Sequence, residues 1–486
     1  MANSQHSTAV YFTTLELESV RCFGHSQKLD LTDGSGNPAQ WTLLLGDNGV
    51  RKTTLLQCLA WMRPVPKGGP QSNLSNADDD TEEPAPLTKG SLGPALSDEE
   101  NDILESLLRT GKNQDLVLKA ELCQNKEFIG KGSSKRTSSV DKSKRINTGV
   151  KIVYNRKGVL EGIKPQGNTK IETVGQYHEP FIVAYGANRQ IGLQNLVQSE
   201  LDDPIAARLS DVTILYDAEE ILQNLDYAAA KKNYVGREND QLVKVLHLLA
   251  QILPDVKDAK DIEINAPKML STSTEPSGVR INTFSGCVPL SALSLGYRTT
   301  LAWTIDLAWR LFSHYPKSPN PLAEPAVVLI DEIDLHLHPL WQRTIMEDLT
   351  ELFPRAQFIA TAHSPLMVQS APNANLAVVQ KEGDEVRIIN EPDVVRSWRV
   401  DQILTSELFR VPASRDKQTE SLFKEKESLL DKPSLSALER ARLLEIEEIA
   451  SLKTAESQED QKAMDLIRSA AALLKKRRIP HNDRNT

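Results

Sequence analysis

Three short stretches of the chain are predominantly apolar and end in chemistry. Trp41–Leu45 runs into a glycine-containing loop, Ala326–Ile330 ends in Asp331-Glu332, and Ala356–Ala362 ends in His363. Runs this short, without alternation, predict strands buried on both faces, as in a parallel α/β sheet. Residues 11–20 alternate with period two and predict a half-buried strand, and a second short strand is predicted over Ser26–Leu31. Further strands are expected at Leu116–Leu122, Val150–Tyr154, Lys170–Val174, Phe181–Tyr185, Asp261–Ile264 and Val279–Phe284, with a hairpin over 375–390. Helical spacing marks Leu55–Trp61, Ile103–Leu108, a segment carrying Ile214, Ile221, Leu222 and Leu225, and another carrying Leu242 to Ile252. An apolar helix follows Ser294 and another spans Leu340–Phe353. Charged amphipathic helices are expected over Thr419–Leu430, Leu435–Leu452 and Gln461–Lys476.

The strand–loop–helix at Gly46-Asp47-Asn48-Gly49-Val50-Arg51-Lys52-Thr53-Thr54 fits the phosphate-binding pattern G-x-x-x-x-G-K-[ST] in all but one place, where Arg51 stands for the second glycine. Such a loop curls backbone N–H groups around phosphate oxygens in front of a helix N-terminus. Lys52 is expected on the β/γ-phosphates and Thr53 on Mg2+. Glycine serves where backbone takes positive φ, so a bulky residue there costs of order 1–3 kcal/mol. Nucleotide binding is therefore expected and turnover is expected to be weak. Asp331 is suited to hold Mg2+ and Glu332 to orient or deprotonate a water, because ligands of open α/β sheets gather at strand C-terminal ends. His363 sits at a comparable strand end. Ser294 opens a helix and can cap it or present donors to an anion.

Composition narrows the class. With 486 residues, 40% hydrophobic and 25% charged, the chain has room for a large core and two or three folding units. Its net charge of −9 argues against non-specific wrapping around nucleic acid. The opening residues Met1–His6 carry neither a basic nor an apolar segment, so no secretion leader is expected, and no apolar run is long enough to span a membrane. The 4 cysteines, Cys22, Cys58, Cys123 and Cys287, lack metal spacing and are expected as reduced core residues of a cytoplasmic protein. Residues 64–100 are rich in Pro, Gly, Ser and acidic residues and predict a surface insertion. The basic loop 131–145 is expected as a solvated segment, with nucleic-acid contact as the alternative. The predicted organisation is a discontinuous head over 1–63 and 101–410, with a helical subdomain at 211–255, and a charged helical region over 411–486.

Taken together, the phosphate loop, the Ser294-Leu295-Gly296-Tyr297 helix start, the Asp331-Glu332 strand and the His363 strand resemble the ABC-type ATPase head of SMC-like proteins. The resemblance implies an α/β head holding ATP and Mg2+, with Asn48, Gly49, Arg51, Lys52, Thr53 and Thr54 on the nucleotide. It makes Ser294, Gly296 and Tyr297 the signature that closes over nucleotide bound by a second protomer. Glu332 and His363 become the catalytic candidates, Asp334 a group at the seam between heads, and Phe23 an aromatic stacking near adenine. Gly46–Val50, Leu293–Arg298, Asp331–Pro339, Thr361–Pro365 and Asp401–Thr405 also resemble the PtuA family, the ATPases of Septu and retron-linked anti-phage systems. That resemblance implies a homo-oligomer that holds and regulates an HNH nuclease subunit (PtuB-like). In retron forms it also implies a reverse transcriptase with its RNA–DNA product. No HNH or TOPRIM pattern of carboxylates and histidines is present, so cutting is assigned to the partner. His336 and His338 lack an identifiable third ligand and are read as structural or seam-facing. The competing readings are a hydrolysing DNA-repair or OLD-type ATPase and a nucleotide-independent scaffold.

Overall fold

The computed structural model describes residues 9–66, 92–94, 115–125, 145–154, 160–165, 180–194, 209, 213–230, 237–253, 256, 258–265, 278–283, 286–371, 373–390, 400–405, 417–430 and 436–453. Two compact units divide at Arg410/Val411.

The first unit opens with the antiparallel strands β1 (Ala9–Glu18) and β2 (Gln27–Asp30). β3 (Trp41–Leu45) leads into α1 (Lys52–Trp61). Short strands β4 (Pro64–Pro66) and β5 (Leu92–Pro94) pair antiparallel, so the two ends of the Pro-rich segment meet. β6 (Leu116–Asn125), β7 (Arg145–Tyr154) and β8 (Leu160–Pro165) complete an antiparallel sheet of order β2-β1-β6-β7-β8. β9 (Ile182–Tyr185) follows, then the parallel pair β10 (Arg189–Gln194) and β11 (Thr213–Tyr216). Helices α2 (Ala218–Ala230) and α3 (Arg237–Ile252) precede a small sheet of β12 (Ile262–Ile264), β13 (Val279–Thr283) and β14 (Gly286–Pro289). The chain continues through α4 (Leu295–His314), β15 (Ala326–Ile330), α5 (Pro339–Leu352), β16 (Ala356–Thr361) and α6 (Pro365–Ser370). The hairpin β17 (Asn375–Glu382) and β18 (Glu385–Asn390) and the helix α7 (Val400–Thr405) end this unit.

The central sheet has order β18-β17-β3-β16-β15-β9, parallel except for the edge strand β18. Its strands read as continuous apolar runs because each feeds two cores. Val327 and Leu329 face one core with α1 and the antiparallel sheet, whereas Val328 and Ile330 face the other with α2, α3 and α4. Truncating one such leucine to alanine costs about 2–5 kcal/mol. A buried side-chain amide ties the two large sheets together: Gln357 accepts from Phe12 N (2.9 Å) and donates to Phe12 O (2.8 Å), as a backbone neighbour would. Because β16 lies between β3 and β15, the phosphate loop and the Asp331 turn leave the same sheet edge one strand apart.

The second unit is described by α8 (Lys417–Leu430) and α9 (Ala437–Lys453). Arg442 on α9 holds both Glu425 oxygens (2.9 and 3.0 Å). Ser436 and Glu439 form a reciprocal cap at the start of α9 (2.8 and 3.3 Å). Leu438 and Leu444 on that helix are exposed.

Some expectations change. Ile214 lies in β11, not in a helix, because Thr213, Ile214 and Tyr216 pair in parallel with β10; the Ile214 side chain is exposed. Helix α1 begins at Lys52, three residues earlier than its apolar spacing indicates. Cys58 and Cys123 are buried, but Cys287 is exposed and so is not a core residue. The helix expected at Ile103–Leu108, the strand Lys170–Val174, most of the basic loop and the helix Gln461–Lys476 fall outside the described residues. No helix among the described residues is long and apolar enough to cross a membrane.

Candidate functional site

The glycine loop is shaped by backbone demands. Gly46 has φ 141° and a Cβ there would lie 2.1 Å from the carbonyl oxygen of Val379, so the strand can leave the sheet only through glycine. Gly49 (φ 85°) and Arg51 (φ 65°) are both left-handed. Arg51 thus occupies the conformation that glycine serves in this loop, and its side chain is exposed. Asp47, Asn48 and Gly49 are also exposed. α1 starts behind them with no side-chain cap and no acidic residue in its first turn, which leaves N–H groups directed at the loop.

Lys52 is buried and folds back over this loop, donating to Gly46 O (2.7 Å) and Asp47 O (3.0 Å). Burial lowers its pKa, opposed by the charges of Asp331, Glu332, Asp47 and Asp334. Thr53 donates to Asp331 Oδ2 (2.7 Å), and Thr361, the last residue of β16, donates to Asp331 Oδ1 (2.7 Å). The Thr361 oxygen also accepts from Glu332 N (2.7 Å). Asp334 Oδ2 accepts from His363 N (2.8 Å). Loop, acidic turn and histidine segment therefore form one connected hydrogen-bonded set at the strand C-terminal ends.

The Thr53–Asp331 pair tests whether a magnesium ion fits. Ligands at neighbouring corners of an octahedron with metal–oxygen distances of 2.0–2.1 Å lie about 2.9 Å apart. The observed 2.7 Å between the two oxygens needs almost no adjustment. No cluster of three His, Cys, Asp or Glu suited to a metal occurs among the described residues.

The Ser294 segment is placed elsewhere on the same unit. Ser294 is the N-cap residue of α4, but its side chain makes no cap hydrogen bond and is exposed, which corrects the capping expectation. Gly296 packs against the turn after β15: a Cβ there would lie 2.2 Å from His336 O. His336 itself is left-handed at φ 64°. Tyr297 meets Trp341 edge to face, with ring centroids 4.3 Å apart. Among the described residues no hydrogen bond joins Ser294 to the phosphate loop.

Phe23 is fully buried in the core beneath β1 and α1, so it is not free to stack on a base. Thr54 is fully buried too, and its hydroxyl accepts from Arg21 (2.8 Å), so it stands behind the loop instead of lining it. Thr361 and Arg189 were not singled out by sequence as site residues. Arg189 follows β9 and donates from Nη2 to Asp331 O (2.5 Å) and Glu332 O (3.4 Å). Burial pulls its pKa down to about 10, with Asp331, Tyr185, Glu332 and Asp334 opposing, so it stays charged near neutrality.

A family model described as "AAA domain, putative AbiEii toxin, Type IV TA system" matches residues 42–369. The chain belongs to this family. The matched span of the AAA domain runs from β3 to α6 and contains the glycine loop, the Ser294 segment, Asp331, Glu332 and His363. By sequence the chain is similar to "Retron Vc95 probable ATPase" of Vibrio cholerae serotype O1 biovar El Tor, 34% identical over 165 residues, which cover 34% of this chain and 29% of that protein. It is also similar to "Septu protein PtuA" of Bacillus mycoides (strain KBAB4), 37% identical over 127 residues, 25% of this chain and 16% of that protein. The chain thus matches less than a third of the length of either relative. Among solved structures it aligns with "Crystal structure of the SmcHead bound to the C-winged helix domain of ScpA" at 16% identity and TM-score 0.39, covering 78% of this chain and 97% of that one.

Proposed function

We propose that this chain is the ATP-binding ABC-type ATPase subunit of an anti-phage defence complex of the Septu or retron type. The observation that carries the reading is the hydrogen-bonded set Lys52 loop–Thr53–Asp331–Thr361–Glu332 at one sheet edge. Lys52, now resting on loop carbonyls, exchanges those acceptors for phosphate oxygens when a nucleotide enters. Thr53 and Asp331 would hold the Mg2+, which would offset phosphate charge when bound. Glu332, its backbone fixed by Thr361, orients the attacking water, and His363, tied through its N–H to Asp334, stands near the terminal phosphate. The defence assignment draws on the similarity to proteins named as Septu and retron components.

Two copies joined through their heads complete each site, with Ser294 of one facing the nucleotide of the other. An exposed Ser294, followed in the chain by the exposed Leu295, supports that arrangement. The helices α8 and α9, with their exposed leucines, are assigned to contacts with further copies and with an HNH nuclease subunit that the assembly restrains. In a retron context a reverse transcriptase with its RNA–DNA product joins the complex. The test is sedimentation of the purified chain with and without Mg-ATP, with Ser294→Arg as the comparison. A nucleotide-dependent increase in mass that Ser294→Arg abolishes is expected. One mass under all conditions would count against the head-to-head site.

A further inference from the structure

The loop after β9 grips the acidic turn in a way the nucleotide reading does not use. Tyr185 O accepts from Asp331 N (2.8 Å). Four residues on, the Arg189 guanidinium donates to Asp331 O (2.5 Å) and Glu332 O (3.4 Å). One short segment thus holds both the N–H and the C=O of Asp331, and the C=O of the next residue. That hold matters because Glu332 is left-handed at φ 50°. A side-chain-bearing residue there is strained and persists only where its surroundings over-determine it.

The gripping segment is itself anchored. Tyr185 OH donates to Asp306 Oδ2 (2.8 Å) on α4, and Arg310 closes on the same carboxylate (2.6 Å). Gly186 N donates to Thr213 (2.7 Å) and Thr213 N returns to Asn188 O (2.9 Å). Among the described residues the buried Arg189 Nε has no hydrogen-bond partner, and Nη2 supplies the contacts to the turn's carbonyls. It is also a cation close to three carboxylates, those of Asp331, Glu332 and Asp334, whose mutual repulsion it offsets.

We infer that Arg189 is a positioning residue for metal-nucleotide binding: it fixes the Asp331–Glu332 backbone so that the Asp331 carboxylate stays where, with Thr53, it meets the divalent cation. The inference rests on the reading of this site as a Mg-nucleotide site. Loss of the guanidinium lets Glu332 relax to negative φ and swings the carboxylate on either side of the peptide. Lys52 and the glycine loop are untouched, so metal-free contact with phosphate survives.

The test is calorimetric titration with ATP in Mg2+ and again in EDTA, on the full chain and on Arg189→Met and Arg189→Lys. Thermal melting runs alongside. The wild type is expected to bind more tightly with Mg2+. Arg189→Met should lose that increment by about tenfold, one decade per 1.4 kcal/mol of lost turn restraint. Its affinity in EDTA should stay within about twofold, and the shorter Arg189→Lys should fall between. An unchanged increment in Arg189→Met overturns the inference, as does an equal loss in both conditions, which marks a merely structural role. If Arg189→Met does not fold, a full increment in Arg189→Lys overturns it. A wild-type chain that binds no ATP in either buffer refutes the nucleotide site itself, and a wild type that binds with an increment the variants share refutes only the role of Arg189.

Discussion

Replacing Arg51 by glycine tests how one backbone angle limits this site. Arg51 sits at φ 65°, ψ 39°, next to the lysine that must reach phosphate. A left-handed non-glycine residue costs roughly 1–2 kcal/mol. The loop can shed that strain by rotating residue 51 back to negative φ, which carries Lys52 out of register. Relative to glycine, the equilibrium constant that keeps Lys52 in place is then lower by about 5–30-fold. Because the guanidinium is exposed, its removal alone changes little. Turnover of ATP, followed by phosphate release, is expected to rise in Arg51→Gly, by at most about 5–30-fold, and to stay within about twofold of the parent in Arg51→Ala, which keeps the strain. Equal rates for the parent and Arg51→Gly would refute the reasoning. A rise in Arg51→Ala matching that in glycine would transfer the effect from backbone to side chain.

Other perturbations reach different parts of the account. Glu332→Gln should lower any turnover by about 100-fold or more while the Mg-ATP dissociation constant stays within about twofold, because a water-orienting carboxylate acts on chemistry and not on grip. Gly296→Ala drives a Cβ to 2.2 Å from His336 O and should cost about 1–3 kcal/mol, read as a lower midpoint in thermal denaturation; an unchanged midpoint would contradict the packing. Burial against Phe181 lowers the pKa of His314, so the folded state binds this proton less readily than the unfolded chain. Its contribution to stability is complete above the unfolded value near 6.5 and is lost as pH falls through the lower folded value. Denaturant midpoints should therefore drop below about pH 6.5, and His314→Phe should flatten that dependence.

Much of the site was legible because its strands bury both faces and end in charged residues. Trp41–Leu45 and Ala326–Ile330 coincide with β3 and β15 for that reason. The need for glycine-like geometry at Arg51 was legible from the loop pattern alone. What sequence hid is carried by backbone. Arg189 acts on the carbonyls of Asp331 and Glu332, and carbonyls leave no trace in side-chain spelling. Phe23 carries a motif-like position, yet packing claimed its ring. Ile214 kept helical spacing with its neighbours by coincidence, since the parallel pairing of Thr213, Ile214 and Tyr216 with β10 outweighs a single apolar position. Ser294 looked like a cap because serine favours that role, whereas here its hydroxyl is left to solvent.

The most direct measurement is a calorimetric titration of the purified chain with Mg-ATP, set against Lys52→Ala. Saturable heat with one nucleotide per chain, lost in a Lys52→Ala variant that still melts cooperatively, is the expected result. No heat from the wild type, or equal binding by Lys52→Ala, would contradict a triphosphate held at the end of β3.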